Sequence, residues 1–215
     1  MSNAKAAGKV CVGYSHPFVA KYNYDGGKVS FTEGRRLARG VDVKITPEEA
    51  DDNDFYADSE LSESETGQIS GGTMSLTVDG LHQDAERFVF GLPDAEDMEY
   101  GDGKTVKITK YPSAMDIPYV GVGVIVHYKS KGIASYVPVI VLKSKFKVPA
   151  TEAATNEGHD NYQTQALETT FMPDDSAEPT WKWVGEDCTT KDEAVAVLCG
   201  LMGVTNTAPA AAAEG

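Results

Sequence analysis

The chain has 215 residues, with 19 Lys and Arg against 33 Asp and Glu and a net charge of -14. No apolar run approaches the ~20 residues that a membrane-spanning helix needs, the opening MSNAKAAGKV lacks the apolar core of a signal peptide, and the acidic balance offers no basic groove for nucleic-acid phosphates. Cys11, Cys188 and Cys199 are odd in number and far from CxxC spacing, so the expectation is free thiols, with neither a disulfide framework nor a zinc site, in a soluble protein made in the cytoplasm. In chain order, a strand over 18–24 turns at Asp25-Gly26-Gly27, where tolerance of positive φ makes a tight hairpin, into a strand with Val29 and Phe31. Val41-Asp42-Val43-Lys44-Ile45 alternates strictly, which buries one face and wets the other.

Residues 46–66, TPEEADDNDFYADSELSESET, then hold nine carboxylates and no Lys or Arg. An arm of that length is too long for a hairpin turn and too charged to bury, so it is expected either to find its stabilisation outside its own domain or to remain mobile. Strand alternation resumes over 74–79. After it Asp79 is expected to cap a helix, with Leu81, Ala85, Phe88 and Val89 at helical spacing and Gly91 as the stop. Val106-Lys107-Ile108 alternates again. Residues 119–128 and 136–146 are longer apolar runs joined by Lys129-Ser130-Lys131-Gly132, a hairpin expected to be partly buried on both faces. Further strands are expected over 163–172 and 181–184. Thr190-Lys191-Asp192-Glu193 has the form of a capping box and opens a helix whose stripe Ala194, Val197, Leu198 and Leu201 ends at Gly203. The expected organisation is a flexible N-terminus over 1–10, a β domain over 11–180, a strand and helix over 181–203, and a disordered tail over 204–215.

Catalytic motifs are absent. Asp102-Gly103-Lys104-Thr105 resembles the end of a phosphate-binding loop, but Met98 stands where that loop needs Gly, and a hairpin turn is the better reading. Gly121-Val122-Gly123-Val124 lacks the third Gly of a dinucleotide fingerprint and falls inside a strand, where Gly marks a twist or a close backbone approach. Gly13-Tyr14-Ser15-His16 is no nucleophile elbow. His16, His82, His127 and His159 are dispersed and read as surface or edge residues, and the acids at 51–54 lack the turn Gly and bidentate Glu of a calcium loop. No catalytic residue, cofactor site or metal site is therefore expected.

The run Leu37-Ala38-Arg39-Gly40 into the strand 41–45, the arm with Phe55-Tyr56-Ala57-Asp58, the strand-to-helix passage from 67 to 92, the hairpin at Pro118-Tyr119-Val120-Gly121-Val122-Gly123, and Tyr162-Gln163-Thr164-Gln165 with Phe171 together resemble the major tail tube protein of long-tailed bacteriophages. The resemblance spans about residues 10–172 and departs from the family pattern over 181–202. It implies a β-sandwich or partly closed barrel with a flanking helix, to which the helix opened by the capping box at 190–193 adds a second, C-terminal one. It also implies copies joined in hexameric rings that stack into a virion tube, with genomic DNA in transient passage, tape-measure and tail-terminator or tail-tip proteins as further partners, and assembly in the host cytoplasm. The inner tube of a contractile tail or secretion apparatus is the alternative. A carbohydrate-binding sandwich with Trp181 and Trp183 on one strand face is a more distant one.

The charge blocks suit such an assembly. Residues 1–45 carry eight bases and three acids, and residues 103–150 eight bases and one acid, so the arm of one copy has cationic strands to meet on another. The candidate inter-ring contacts are Glu48, Glu49, Asp51, Asp52 and Asp54, anchored by Phe55 and Tyr56. Their candidate partners are Arg35, Arg36, Arg39, Lys129, Lys131, Lys143 and Lys145. A conduit wall needs few cations facing DNA, and Asp42 and Asp79 are the candidates for the lumen.

Overall fold

In the computed structural model, residues 8–51, 67–150 and 163–204 are described in full, and 53–57 and 60–65 by their backbone. The expected flexible terminus and disordered tail lie outside these residues except at their inner ends. The fold is mainly β, built on one antiparallel sheet. Its strands are β1 (Val10–Asp25), β2 (Lys28–Arg36), β3 (Gly40–Glu49), β6 (Ile69–Val78), β9 (Val120–Ser130), β10 (Ile133–Phe146) and β11 (Gln165–Met172), in the spatial order β2-β1-β9-β10-β11-β6-β3. Two short ribbons stand beside it: β4 (Asn53–Ala57) with β5 (Glu60–Glu65), and β7 (Glu96–Gly101) with β8 (Lys104–Ile108). A last strand, β12 (Lys182–Val184), pairs with β10.

One local device makes three of the hairpins. Gly26-Gly27, Asp102-Gly103 and Lys131-Gly132 are two-residue loops with positive φ at both positions, +56 and +82, +50 and +70, +50 and +86. That geometry matches the right-handed twist of the flanking strands. The turn after β9 is thus only Lys131-Gly132, with Ser130 paired to Ile133, tighter than the four residues expected.

The sheet curves until its ends meet. The Tyr14 ring of β1 lies on Gly40 at the start of β3, and its hydroxyl donates to the Thr77 carbonyl of β6 at 3.0 Å. Nearby, Leu37 N–H donates to the Pro17 carbonyl at 2.8 Å. A partly closed barrel is the result. Inside it, Val19, Met74, Leu76, Val78, Val120, Val122, Val124, Val137, Val139, Val141, Leu167 and Phe171 form one core, completed by Phe88, Val89 and Phe90 of helix α1 (Gln83–Phe90).

On the outer face of β1, β9 and β10 a second core gathers Phe18, Ala20, Phe31, Ile125, Ile140 and Leu142 under helix α2 (Lys191–Leu201), with Leu198 and Met202. The central hairpin is therefore buried on both faces, as its unbroken apolar runs predict. Gly121 and Gly123 are where α2 and β2 press closest: a Cβ at Gly121 would stand 2.3 Å from the Phe31 ring, and one at Gly123 2.4 Å from Met202 Sδ. The Gly-Val-Gly-Val string is a packing motif.

Four expectations need correction. Helix α1 starts at Gln83 with His82 at its N-cap, not at Asp79. The Asp79 carboxylate instead accepts the Arg39 backbone N–H at 2.9 Å, and the Gln165 side-chain carbonyl takes the Leu81 N–H. Thr190 does cap α2, but Val197 and Leu201 are exposed, and Ala194, Leu198, Cys199 and Met202 make the buried face, because the helix meets the sheet along the i, i+4, i+8 line. Trp181 and Trp183 do not share a face. Trp181 precedes β12 and stacks on Phe171 in the inner core at 5.2 Å, whereas Trp183 packs edge-on to Phe31 in the outer core at 5.8 Å. Finally, the 46–66 segment finds backbone partners within the chain. Thr46 to Glu49 extend β3 against β6, and the β4–β5 hairpin follows.

Candidate assembly interface

The arm begins as an extension of the β3–β6 pair and then forms a two-stranded sheet of its own. Glu49 pairs with Ile69, the Ala50 N–H donates to the Gln68 carbonyl at 2.8 Å, and Asn53 pairs with Glu65. The Asn53–Glu65 pair lies four residues on from Glu49 on one strand and four back from Ile69 on the other, beyond the register slip between Glu48 and Glu49, and the hairpin slips again between Phe55 and Tyr56. Glu48, Glu49 and Asp51 are exposed. Asp52 and the side chains of Asp54, Phe55 and Tyr56 lie outside the described residues.

The candidate basic partners fall into two groups. Several are engaged within their own chain. Arg39 pairs with Asp79 at 3.6 Å. Lys143 pairs with Asp175 at 2.5 Å and sits over the rings of Tyr22 and Tyr119, 5.6 and 5.0 Å from their centroids. The hydrogen bond from Lys143 holds the Asp175 carboxyl below the usual carboxylate range, and burial, together with Asp175, pushes the Tyr22 phenol up to about 12. Lys145 lies over the Tyr119 ring at 4.9 Å. The Arg35 guanidinium covers the Phe88 ring at 4.0 Å, and Arg36 Nε donates to the Ala38 carbonyl at 3.4 Å. Both arginines line a cavity of about 550 Å³ with Leu37, His82, Gln83, Asp84 and Ala85. The second group is Lys129 and Lys131, which are exposed and make no ion pair among the described residues.

Of the two lumen candidates, Asp42 is exposed on β3 opposite Thr77, whereas Asp79 lies just past the end of β6 and is held by Arg39. Asp42 shares its sheet face with Lys44 and Thr46 of β3, Thr73, Ser75 and Thr77 of β6, and Glu168 and Thr170 of β11. The face is polar and hydroxyl-rich, because the alternate residues Val43, Ile45, Met74, Leu76, Val78 and Leu167 turn to the core.

Two features were not legible as sites. The histidines are not all dispersed: Ser15 Oγ lies 2.8 Å from His127 Nε2 and 2.9 Å from His16 Nδ1. The β1–β9 pairing brings these residues together across more than a hundred positions. Burial first, then the nearby Arg36, Lys191 and His127, lowers His16 to about 4, and burial with Lys191 lowers His127. A hydroxyl with an adjacent imidazole is half of a nucleophile–base pair, but among the described residues no carboxylate is hydrogen-bonded to either ring. The cluster ties a bulge in β1 to β9.

The other feature is the β7–β8 ribbon, which pairs with no strand of the main sheet. Met98 is 45%, Tyr100 67% and Val106 42% exposed, with Met98 directly opposite Val106. Among the described residues no group of His, Cys, Asp and Glu could hold a metal ion, and no helix is long and apolar enough to cross a membrane. No family model and no curated protein matches the chain.

Proposed function

We propose that the chain is a structural subunit that assembles with copies of itself into a tube of the phage-tail kind, as stacked hexameric rings enclosing a passage for DNA. The observation that carries this reading is the ribbon. Beyond Ile45 and Met74, the last core residues of β3 and β6, the pair runs on to Glu49 and Ile69, and the β4–β5 hairpin follows as a two-stranded sheet of its own. A paired, acidic extension beyond a sheet edge has the reach and charge to engage another copy. The polar outer face of β3, β6 and β11 supplies a second support. This hydroxyl-rich stretch carries Asp42, Glu168 and Lys44, with Lys145 opposite Thr170 and Lys147 paired with Glu168 along its β10 border, so its centre gives phosphates little to hold.

In this reading the chain works in the virion tail after assembling in the host cytoplasm, and tape-measure and terminator or tip proteins meet the tube at its core and ends. It performs no chemistry. Negative-stain microscopy of the purified, concentrated protein tests the proposal: tubes with a regular axial repeat are expected. Monodisperse monomers at every concentration and salt would end it.

A further inference from the structure

We infer that Ser15, His16 and His127 form an acid-sensitive clasp, which fastens the first half of β1 to β9 at neutral pH and lets that half-strand go when its imidazoles are protonated. The clasp is a property of the single chain and does not depend on assembly. The segment it holds is the least supported part of the large sheet. β2 covers β1 only from Phe18 onward, so residues 10–15 have β9 as their one ladder partner. That ladder slips between Cys11 and Gly13 and again between Ser15 and Phe18, which leaves Gly13, Tyr14 and Ser15 as a short run opposite His127, Val126 and Ile125. His16, next along, takes a φ of +53, a left-handed conformation that is costly for a residue other than glycine. Besides the ladder, the segment is tied by the Tyr14 hydroxyl on the Thr77 carbonyl, by the Lys9–Asp187 ion pair at its outer end, and by Ser15.

Ser15 Oγ is 2.8 Å from His127 Nε2 and 2.9 Å from His16 Nδ1. A hydroxyl has one proton to give, so the arrangement that uses every group has it donating to one bare ring nitrogen and accepting from the N–H of the other. An imidazolium has no bare nitrogen. Once both rings are charged, two N–H groups and the hydroxyl proton crowd one oxygen, and the chain of bonds across the strands is cut. The surroundings oppose those protons. Arg36 of β2 and Lys191 of α2 act on His16, Lys191 acts on His127, and His127 acts on His16 in turn. Neither Arg36 nor Lys191 makes an ion pair among the described residues, and Lys191 opens α2, so the positive end of that helix lies on the same side. Tyr136 of β10 meets the His127 ring edge-on at 5.0 Å and brings no charge. Asp192 of α2 alone favours the charged form of His16. Repulsion falls on the strand that can yield: β9 is fixed between β1 and β10, whereas the first half of β1 is free along its other edge. Release would bare the β9 backbone from Ile125 to Lys129 as a sheet edge and lift Tyr14 from Gly40 and Thr77, where the ends of the sheet meet. The closed form is fully favoured above pH 6.5 and loses support as the pH falls toward 4, because His16 binds its proton less readily when folded.

Hydrogen exchange read by mass spectrometry on the full chain, corrected for the pH dependence of the intrinsic rates, tests the clasp. Between pH 7 and pH 4 the protection of peptides covering 10–16 is expected to fall about tenfold or more, while that of 137–142 in β10 changes little. His16→Asn/His127→Gln keeps polar groups at both positions but nothing that titrates in this range, and its protection over 10–16 is expected to stay level. The Lys9–Asp187 pair is common to both chains, so its own acid sensitivity cancels in the comparison. Lys191→Gln, at an exposed position, removes one repelling charge and is expected to move the opening a few tenths of a pH unit lower at low ionic strength. An equal loss of protection in the double variant, or a loss spread evenly over 10–16 and 137–142, overturns the clasp. So does an opening that stays at the same pH in Lys191→Gln, which decides the matter if the double variant does not fold.

Discussion

The β9–β10 hairpin and the β7–β8 ribbon close with the same two-residue turn and end in opposite situations. In β9 every position from Val120 to Ile125 is buried, with Gly121 and Gly123 admitting Phe31 and Met202. In β7 every position is exposed, and apolar residues come only at alternate places between acids. Turn chemistry decides that a hairpin forms. Composition between the turns decides whether it is core or surface. Stability should therefore reside in β9–β10 and association in the acidic arm, and substitutions can separate the two.

The largest effect on folding is expected from Leu142→Ala on β10. It removes a fully buried side chain beneath α2, for about 2–5 kcal/mol of lost stability in chemical denaturation. A loss within experimental error would mean that the outer core does not hold the hairpin. Next comes Gly123→Ala, whose added methyl meets Met202 Sδ, at a cost of about 1–3 kcal/mol. Combining it with Met202→Ala should cost less than the two single changes added together; simple additivity would show that the close approach imposes no constraint.

A smaller effect belongs to pH. His16 has a folded value of about 4, below the usual 6.5, so the unfolded chain binds the proton first. Its contribution is fully present above pH 6.5 and is lost as the pH falls from 6.5 toward 4, roughly 1–2 kcal/mol once discounted for the ring's partial exposure. Thermal melts from pH 7 to pH 4 should flatten in His16→Asn, and an equally steep decline there would assign the acid sensitivity to other groups.

The smallest effect on folding, within about 0.5 kcal/mol, is expected for Phe55→Ala/Tyr56→Ala in the arm, with tube elongation lost under the microscope. Neutralising Glu48, Glu49, Asp51, Asp52 and Asp54 should move the salt dependence of assembly more than its extent. Long tubes from the aromatic double variant would leave the arm without a role in stacking.

The sequence made the buried hairpin easy to read, because unbroken apolar runs and a Lys-Gly turn point the same way. It made the exposed ribbon hard to read. In Glu96-Asp97-Met98-Glu99-Tyr100 the acids outweigh the two apolar residues, and only the Asp-Gly turn and the alternation opposite Val106 betray a strand. The apolar spacing locates helix α1 but sets its cap three residues early, since Asp79 finds its donor at Arg39, forty positions back, and no local rule sees that bond. Alternation through Trp181 and Trp183 predicts one face, but the strand begins only at Lys182. The meeting of Ser15 with His16 and His127 depends on β1–β9 register, which short-range patterns do not determine. Of the candidate contacts, Lys129 and Lys131 make no ion pair among the described residues, while Arg39 and Lys143 are paired with Asp79 and Asp175 of their own chain.

The succession from the β3–β6 ladder to the β4–β5 hairpin also has a mechanical meaning. A pull on the ribbon along its strands enters β6 and is handed to β11, whose paired residues from Gly72 to Val78 share it side by side. Bonds loaded that way yield together or not at all, whereas bonds opened one after another from an end give way like a zip. A particle joined through such ribbons would be stiff along its length, and bending would have to be taken up between subunits.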